Sequence, residues 1–399
     1  MENKKMDNKQ AFAIGLAAGV IFMLIAVFGF TVYNRQVRWG GQMDPNRKIM
    51  EIYDLLNDVS MFPFDKDAML DSMYRGFLDG VGDPYTQYFD RLALEAFRER
   101  VEGAYVGIGV LVLEDAETMT LIVAQAFSGS PAAEAGLLPG DKIVEVDGEN
   151  VVGRPTAETM SMIRGPEATS VNITIYRPYE NETFTVSIVR ARITVPSVFH
   201  EMMPNQTGYI RIEGFDDATR GQFSIALADL LEQGIEGLIL DLRNNPGGGL
   251  HVVTHIANYF VPEGVVAYTV DASGRRQDFN STAEYLGIPL VVLINGRSAS
   301  ASELLSGAIQ DTGVGVLVGE QTFGKGIVQH LRNLSDGSAI KVTVAKYFTP
   351  NGTSIHGVGV APDYVVEMDE ALSRRIGQME LYEDVQLQRA LEVLLEMVS

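Results

Sequence analysis

The sequence predicts a mixed α/β protein with four parts: an N-terminal apolar helix, a helical segment, a small β-rich module, and an α/β core built on a largely parallel sheet. Three observations predict it. Apolar residues recur at helical spacing through 44–100. Short strand-like runs crowd residues 101–193. From Gly208 onward, strand and helix patterns alternate, as in a parallel sheet covered by helices. A chain of 399 residues has room for two or three domains.

Residues 1–10 read as a short tail, and Ala11 to Tyr33 as an apolar run whose only polar side chains are Thr31 and Tyr33. A helix of that length spans about 34 Å, enough to cross a bilayer core. Lys4, Lys5 and Lys9 precede it, which places the N-terminus in the cytoplasm and the rest of the chain outside. The competing reading is a cleaved signal peptide. The run is long for one, and no small-x-small cleavage site follows. Residues 11–33 are therefore expected to anchor the protein as a single-pass span of the cell membrane.

Asn34 to Gln42 is a juxtamembrane linker. In 44–100, Ile49, Ile52, Tyr53, Leu55 and Leu56 share one helical stripe, and Met69, Met73, Phe77 and Leu78 another. Gly82-Asp83-Pro84 breaks the pattern. The β-rich module, 101–193, has strand-like runs at Val106–Leu113, Thr120–Ala126, Lys142–Val146, Val171–Tyr176 and Thr183–Val189. Short helical pieces lie near Ala132–Ala135 and Thr156–Ile163. The core, 194–365, alternates: strand Tyr209–Ile212, helix Thr219–Leu231, strand Leu238–Leu242, helix Leu250–Phe260, strand Leu290–Ile294, helix Ser300–Ile309, strand Val314–Val318. The all-apolar run at 290–294 suits a strand buried on both faces. A hairpin follows, with strands Gly326–Leu334 and Ala339–Phe348 around Ser335-Asp336-Gly337. Residues 366–399 read as a C-terminal helical segment. The Met and Leu stripes of 44–100 and 376–398 are packing faces that also offer a homodimer interface.

Cysteine is absent, which removes disulfides, thiolate nucleophiles and thiolate metal sites. A net charge of −21 without a basic stripe excludes nucleic acid as a partner. Gly319 to Lys325 approaches a phosphate-binding loop, but position 326 is Gly where Ser or Thr would hold magnesium. His251 and His255 share a helix face without the intervening Glu of a zinc hydrolase, since Val occupies 252. No metal and no cofactor is called for.

The chemistry concentrates in Asn295-Gly296-Arg297-Ser298-Ala299-Ser300-Ala301-Ser302-Glu303 and, twenty-five residues past Ser300, Gly324-Lys325-Gly326. A serine just past a buried strand, at a helix start, meets free backbone N–H groups and a positive dipole end. Both favour the oxyanion of a tetrahedral intermediate. Composition alone leaves open which of the three serines attacks. Lys325, among Phe323, Ile327 and Val328, is a candidate general base if burial lowers its pKa from about 10.4 towards 7–8. A carboxylate nearby would restore the ammonium, whereas Gln329 could orient the amine without that penalty. Asp241-Leu242-Arg243-Asn244-Asn245-Pro246-Gly247-Gly248-Gly249 is a glycine turn between strand and helix. It could supply a second oxyanion donor from Gly247 or Gly248.

These blocks resemble the carboxyl-terminal processing proteases, also called tail-specific proteases. Ser-Ala-Ser-Ala-Ser-Glu, Gly-Glu-Gln-Thr-Phe-Gly-Lys-Gly with Gln329, the 241–248 run, Gly357-Val358-Gly359-Val360-Ala361-Pro362-Asp363 and Gly82-Asp83-Pro84-Tyr85 all carry the resemblance, over about residues 44–395. It implies a crotonase-like core, Ser300 as nucleophile, Lys325 as base and Gln329 as its orienting partner. Ala301 and a glycine of 247–249 would be the oxyanion donors. Residues 101–193 resemble a PDZ domain. That implies that backbone N–H groups at Val106, Gly107, Ile108 and Gly109 hold a substrate's C-terminal carboxylate, and that the following strand pairs with its tail. Ser130 to Leu137, Gly140-Asp141 and Val146-Asp147-Gly148 are similar to later blocks of that domain. Arg164, at the end of its helix, is expected to touch the catalytic core and to regulate it.

The expectation is a membrane-anchored extracytoplasmic serine endopeptidase with a Ser-Lys dyad, acting on proteins or peptides with C-terminal tails. Two alternatives differ in kind. A non-catalytic PDZ scaffold on a degenerate protease body would bind tails without cutting them. A Ser-His-Asp hydrolase would draw on His330 or His356, neither of which has a triad-type context.

Overall fold

The structure is a computed structural model that describes Met23 and residues 45–282 and 284–398. Met23 apart, the expected tail and anchor lie outside the described residues. Among the described residues, no helix is long and apolar enough to cross a membrane. The chain divides into two compact units between Met73 and Tyr74.

The first unit holds α1 (Pro45–Val59) and the start of α2 (Lys66–Asp79). No residue of α1 is buried, although its sequence is amphipathic. Tyr53 meets Phe64 edge to face, and the Lys66 ammonium lies 5.2 Å from the Tyr53 ring centre.

The second unit begins within α2. Asp83 then builds a turn by accepting from the N–H of Tyr85 (3.0 Å) and the hydroxyl of Thr86 (2.7 Å). β1 (Gln87–Phe89) and α3 (Arg91–Glu102) follow, the helix capped by Asp90 and closed by Gly103 in the left-handed region.

The sequence suggests one strand across 106–113, whereas the structure has two, β2 (Ala104–Gly107) and β3 (Val110–Glu114). The break is physical. Gly109 has φ 83°, and a Cβ there would stand 2.3 Å from that of Ser130. β4 (Leu121–Ala126), α4 (Pro131–Glu134), β5 (Lys142–Val146), β6 (Glu149–Asn150), α5 (Thr156–Ile163), β7 (Ser170–Arg177), β8 (Glu182–Val189) and β9 (Ala191–Thr194) complete the module. Its sheet runs β3-β4-β5-β7-β8, with β6 on β5, so β3 is an edge strand. β2 pairs with β9 in a separate ribbon.

The α/β core contains β10 (Val198–Met203), β11 (Thr207–Ile212), α6 (Thr219–Glu232), β12 (Gly237–Asp241), α7 (Leu250–Ala257), β13 (Gly264–Asp271), β14 (Arg276–Ser281), β15 (Leu290–Ile294), α8 (Ala301–Thr312), β16 (Val316–Gly319), β17 (Ile327–Asn333), β18 (Ala339–Phe348) and β19 (Tyr364–Val365). The order β10-β11-β12-β15-β16-β19 is parallel except at β10. β12 and β15 are buried along their whole length, as an apolar run in a covered parallel sheet requires. β10, β13 and β14 have no counterpart in the periodicity. β10 is a half-exposed edge strand and β14 a polar one, so neither shows a clean apolar alternation.

A second sheet is antiparallel. β18 takes β17 along one edge, and β1 and β13 along the other. The C-terminal segment is less helical than its sequence suggests. It has a single turn, α9 (Glu370–Ser373), then turns, then α10 (Val385–Val398). Gly377, at φ 83° against the Arg211 guanidinium, interrupts it. Leu387, Ala390, Val393 and Leu394 of α10 pack on the core sheet beside Ile239, Val291 and Val318.

Candidate active site

Ser300 sits between β15 and α8 with φ 54° and ψ −110°. Non-glycine residues avoid this region, and holding one there costs about 1–3 kcal/mol. The neighbouring serines explain how it is held. Ser298 donates to the Leu242 carbonyl (2.8 Å) and accepts from the Asn295 N–H (3.0 Å). Ser302 donates to the Asn245 carbonyl (2.9 Å). Both are fully buried, so their hydroxyls are committed to the scaffold, while Ser300 between them is half-buried at the elbow. This sharp strand-to-helix turn is the geometry that presents a nucleophilic hydroxyl.

The 241–249 turn lies against that elbow. A Cβ on Gly247 would come within 2.6 Å of the Ala299 carbonyl, 2.8 Å of the Ser300 Cβ and 2.9 Å of the Ala301 nitrogen. Only glycine fits, and its φ of 98° adds a second reason. Gly247 donates its own N–H to the Asn245 side chain (2.8 Å). Its carbonyl and the N–H of Gly249 bridge to Phe215. Among the hydrogen bonds of the described residues, the N–H groups of Gly248 and Ala301 are unspent. Gly247 therefore provides clearance, and Gly248 with Ala301 provides the free donors.

Lys325 follows Gly324, in the stretch leading to β17. It is half-buried, and burial holds its pKa below the ordinary lysine range, partly offset by Glu303. Its ammonium lies 5.2 Å from the ring centre of Tyr85. Among the described residues it makes no hydrogen bond to Ser300 or Gln329. Gln329 was expected to orient the amine. Its Nε2 instead donates to the Tyr85 carbonyl (2.5 Å), because the turn at 83–86 is seated on the β17–β18 hairpin.

Glu303 closes the serine motif, where its sequence context alone assigned it no role. Its carboxylate is fully buried and accepts four hydrogen bonds. These come from the N–H groups of Ser300 (2.7 Å), Gly324 (2.7 Å) and Lys325 (2.9 Å) and from the Thr322 hydroxyl (2.6 Å). One side chain thus ties the serine elbow to the lysine segment, and its charge is spread over those donors. The signal was present as Ser-x-x-Glu, a capping pattern. Also missed was the buried cluster behind the glycine turn. Arg243 pairs with Asp241 (2.7 Å) and with Asp384 (2.8 Å), and Tyr209 donates to Asp241 (2.7 Å). No local pattern links positions 243 and 384.

In the β-rich module, Val106 and Gly107 belong to β2 and pair with Arg192 and Ala191. Ile108 and Gly109 lie between the β2 and β3 ladders, at the start of the open edge of β3. Ile108's side chain is in the module's core, and its carbonyl accepts from the Ala132 N–H. Arg164 does not take the partner expected of it. It pairs with Glu99 of α3 (3.0 Å) and covers the ring of Tyr105 at 5.3 Å, because α5 ends beside α3 and β2 rather than beside Ser300. His251 pairs with Asp217 (2.7 Å), and His255 packs on Tyr259.

The profile of peptidase family S41 matches residues 206–366, and that of the PDZ domain matches 122–177. The carboxy-terminal processing protease CtpB of Bacillus subtilis (strain 168) is 33% identical over 346 residues, 85% of this chain and 71% of that protein. The carboxyl-terminal-processing protease of Synechocystis sp. is 38% identical over 317 residues, 78% of this chain and 74% of that protein. A solved photosystem II D1 C-terminal processing protease is 30% identical, covers 88% of this chain and 93% of its own, and aligns with a TM-score of 0.49. The chain belongs to peptidase family S41, carries a PDZ domain, and is a serine-type endopeptidase.

Proposed function

We propose that the protein is a membrane-anchored, extracytoplasmic endopeptidase that receives a substrate's C-terminal tail in its PDZ domain and cuts with a Ser300–Lys325 dyad. The observation that carries this reading is the elbow at Ser300, held in a strained conformation beside two unspent N–H groups. Ser300 Oγ attacks the scissile carbonyl carbon as neutral Lys325 takes its proton. Gly248 and Ala301 N–H groups receive the oxyanion. Lys325 then gives the proton to the leaving amine as the C–N bond breaks. Water, deprotonated by the same amine, hydrolyses the acyl-enzyme. Gln329 serves the amine once it is released from Tyr85.

Burial of Lys325 supports the base assignment, since the chemistry needs an uncharged amine. The free edge of β3 supports β-augmentation by an incoming tail. The apolar run 11–33 supports the anchor, and the exposed apolar residues of α1 support a homodimer.

The test is cleavage of an unstructured protein with an apolar C-terminus. Ser300→Ala and Lys325→Ala should each abolish it, by on the order of 10³-fold or more. Retained activity in either variant would sink the dyad, and loss on replacing His330 or His356 alone would favour a histidine mechanism. Added protease that fails to digest the body in intact spheroplasts would overturn the extracytoplasmic placement.

A further inference from the structure

The turn at 83–86 meets both parts of the base machinery at one residue. The Tyr85 ring faces the Lys325 ammonium, and the Tyr85 carbonyl takes the Gln329 amide. The turn is fixed from both sides. Asp83 closes it internally, and the chain leaving it becomes β1, paired to β18, which also pairs with the strand carrying Gln329. Among the described residues, no carboxylate lies within ion-pair distance of Lys325. The nearby carboxylate, Glu303, spends its oxygens on four other donors.

We propose that Tyr85 is a positioning residue for the general base, its ring holding Lys325 in the ammonium form and its carbonyl holding Gln329 off the amine. The proposal rests on the dyad reading and adds what controls the availability of the base. A π face attracts a cation and not a neutral amine, so Tyr85 opposes the effect of burial. Lys325 must lose a proton to solvent before it can accept one from Ser300, and Tyr85 raises the pH at which that happens. Other charged groups act there too. Glu303 on α8 favours the ammonium. Lys341 on β18 repels it. Asp83 stands at the foot of the turn, and the His356 backbone packs on Gly326.

The experiment is the pH dependence of kcat/KM for the full chain on an unstructured protein substrate, in which the acid limb reports the free enzyme's base. Tyr85→Leu removes the π face and should move the limb to lower pH by about one unit, a rise of about tenfold on the limb. Tyr85→Trp strengthens the π face and should move it to higher pH. Tyr85→Phe keeps a ring and should keep the limb. His356→Asn should leave the limb in place, which assigns it to the lysine. Circular dichroism reports whether each variant folds. If Tyr85→Leu does not, an unmoved limb in Tyr85→Phe together with a raised limb in Tyr85→Trp decides. Limbs that coincide for wild type, Leu and Trp would overturn the proposal, as would a limb that follows His356. Ser300→Ala and Lys325→Ala run alongside. Activity in either means the dyad reading has failed. Inactivity in both, with unmoved Tyr85 limbs, means only the role of Tyr85 has failed.

Discussion

Ser300 can keep its strained backbone because Glu303 holds its N–H while Asn245 and Leu242 carbonyls hold the serines on either side. Glu303→Gln isolates this effect. An amide has one acceptor oxygen, so the N–H groups of Ser300 and Lys325, which share Oε2, would face an NH₂ donor. Each buried donor left unsatisfied costs about 1–3 kcal/mol. The variant should melt lower and lose most of its kcat with a smaller change in KM. A wild-type kcat would show that the carboxylate does not set the elbow. Activity should rise with pH through the lowered pKa of Lys325. Below that pKa the ammonium cannot accept the serine proton, and above it the neutral amine can. A profile flat between pH 5 and 9 would contradict a lysine base.

Two elements form the proposed binding surfaces. The glycine turn between β12 and α7 leaves no space for a side chain at Gly247, because the atoms it would meet include backbone, which cannot rotate away. Gly247→Ala should therefore displace the turn from Ala301 and lower kcat by on the order of 10²-fold, the scale of a lost oxyanion donor. Near-normal kcat in a folded variant would remove the turn from the oxyanion site. In the PDZ domain, Gly109 has both a left-handed φ and Ser130 against it. Gly109→Ala should abolish binding of a labelled C-terminal peptide, read by fluorescence anisotropy, while spontaneous cutting of unstructured protein persists. Unchanged anisotropy would move the tail site elsewhere. The strand break at Ile108-Gly109 was not legible in a continuous apolar run, because it depends on two strands choosing different partners, β9 and β4.

At the scale of the molecule, the glycine turn is tied to the C-terminal segment through Arg243 and Asp384, both buried. Asp384→Ala leaves the guanidinium with Asp241 as its remaining carboxylate, beside the Gln386 side-chain oxygen, and removes one side of its charge compensation. Breaking a buried pair in this way costs about 3–5 kcal/mol. A clear drop in melting temperature is expected, with activity falling as the turn loosens. A melting temperature within a degree of wild type would mean that the ion cluster adds little to the fold.

Most core strands were legible in the chain, because burial on both faces leaves an apolar run such as 290–294 and alternation leaves a period. It also offered Ser300, Lys325, Gln329 and the glycine turn as candidates, through the family resemblance and the small-residue runs around Ser300 and Lys325. Packing alone set which serines serve as scaffold, that Gly247 gives clearance while Gly248 and Ala301 keep free N–H groups, and that Arg164 meets Glu99. It alone brought Tyr85 to Lys325 and Glu303 to the backbone of both Ser300 and Lys325. The difference is one of range. Periodicity and turn chemistry act over a few residues, whereas hydrogen-bond partners 141 or 244 positions apart are fixed by packing alone.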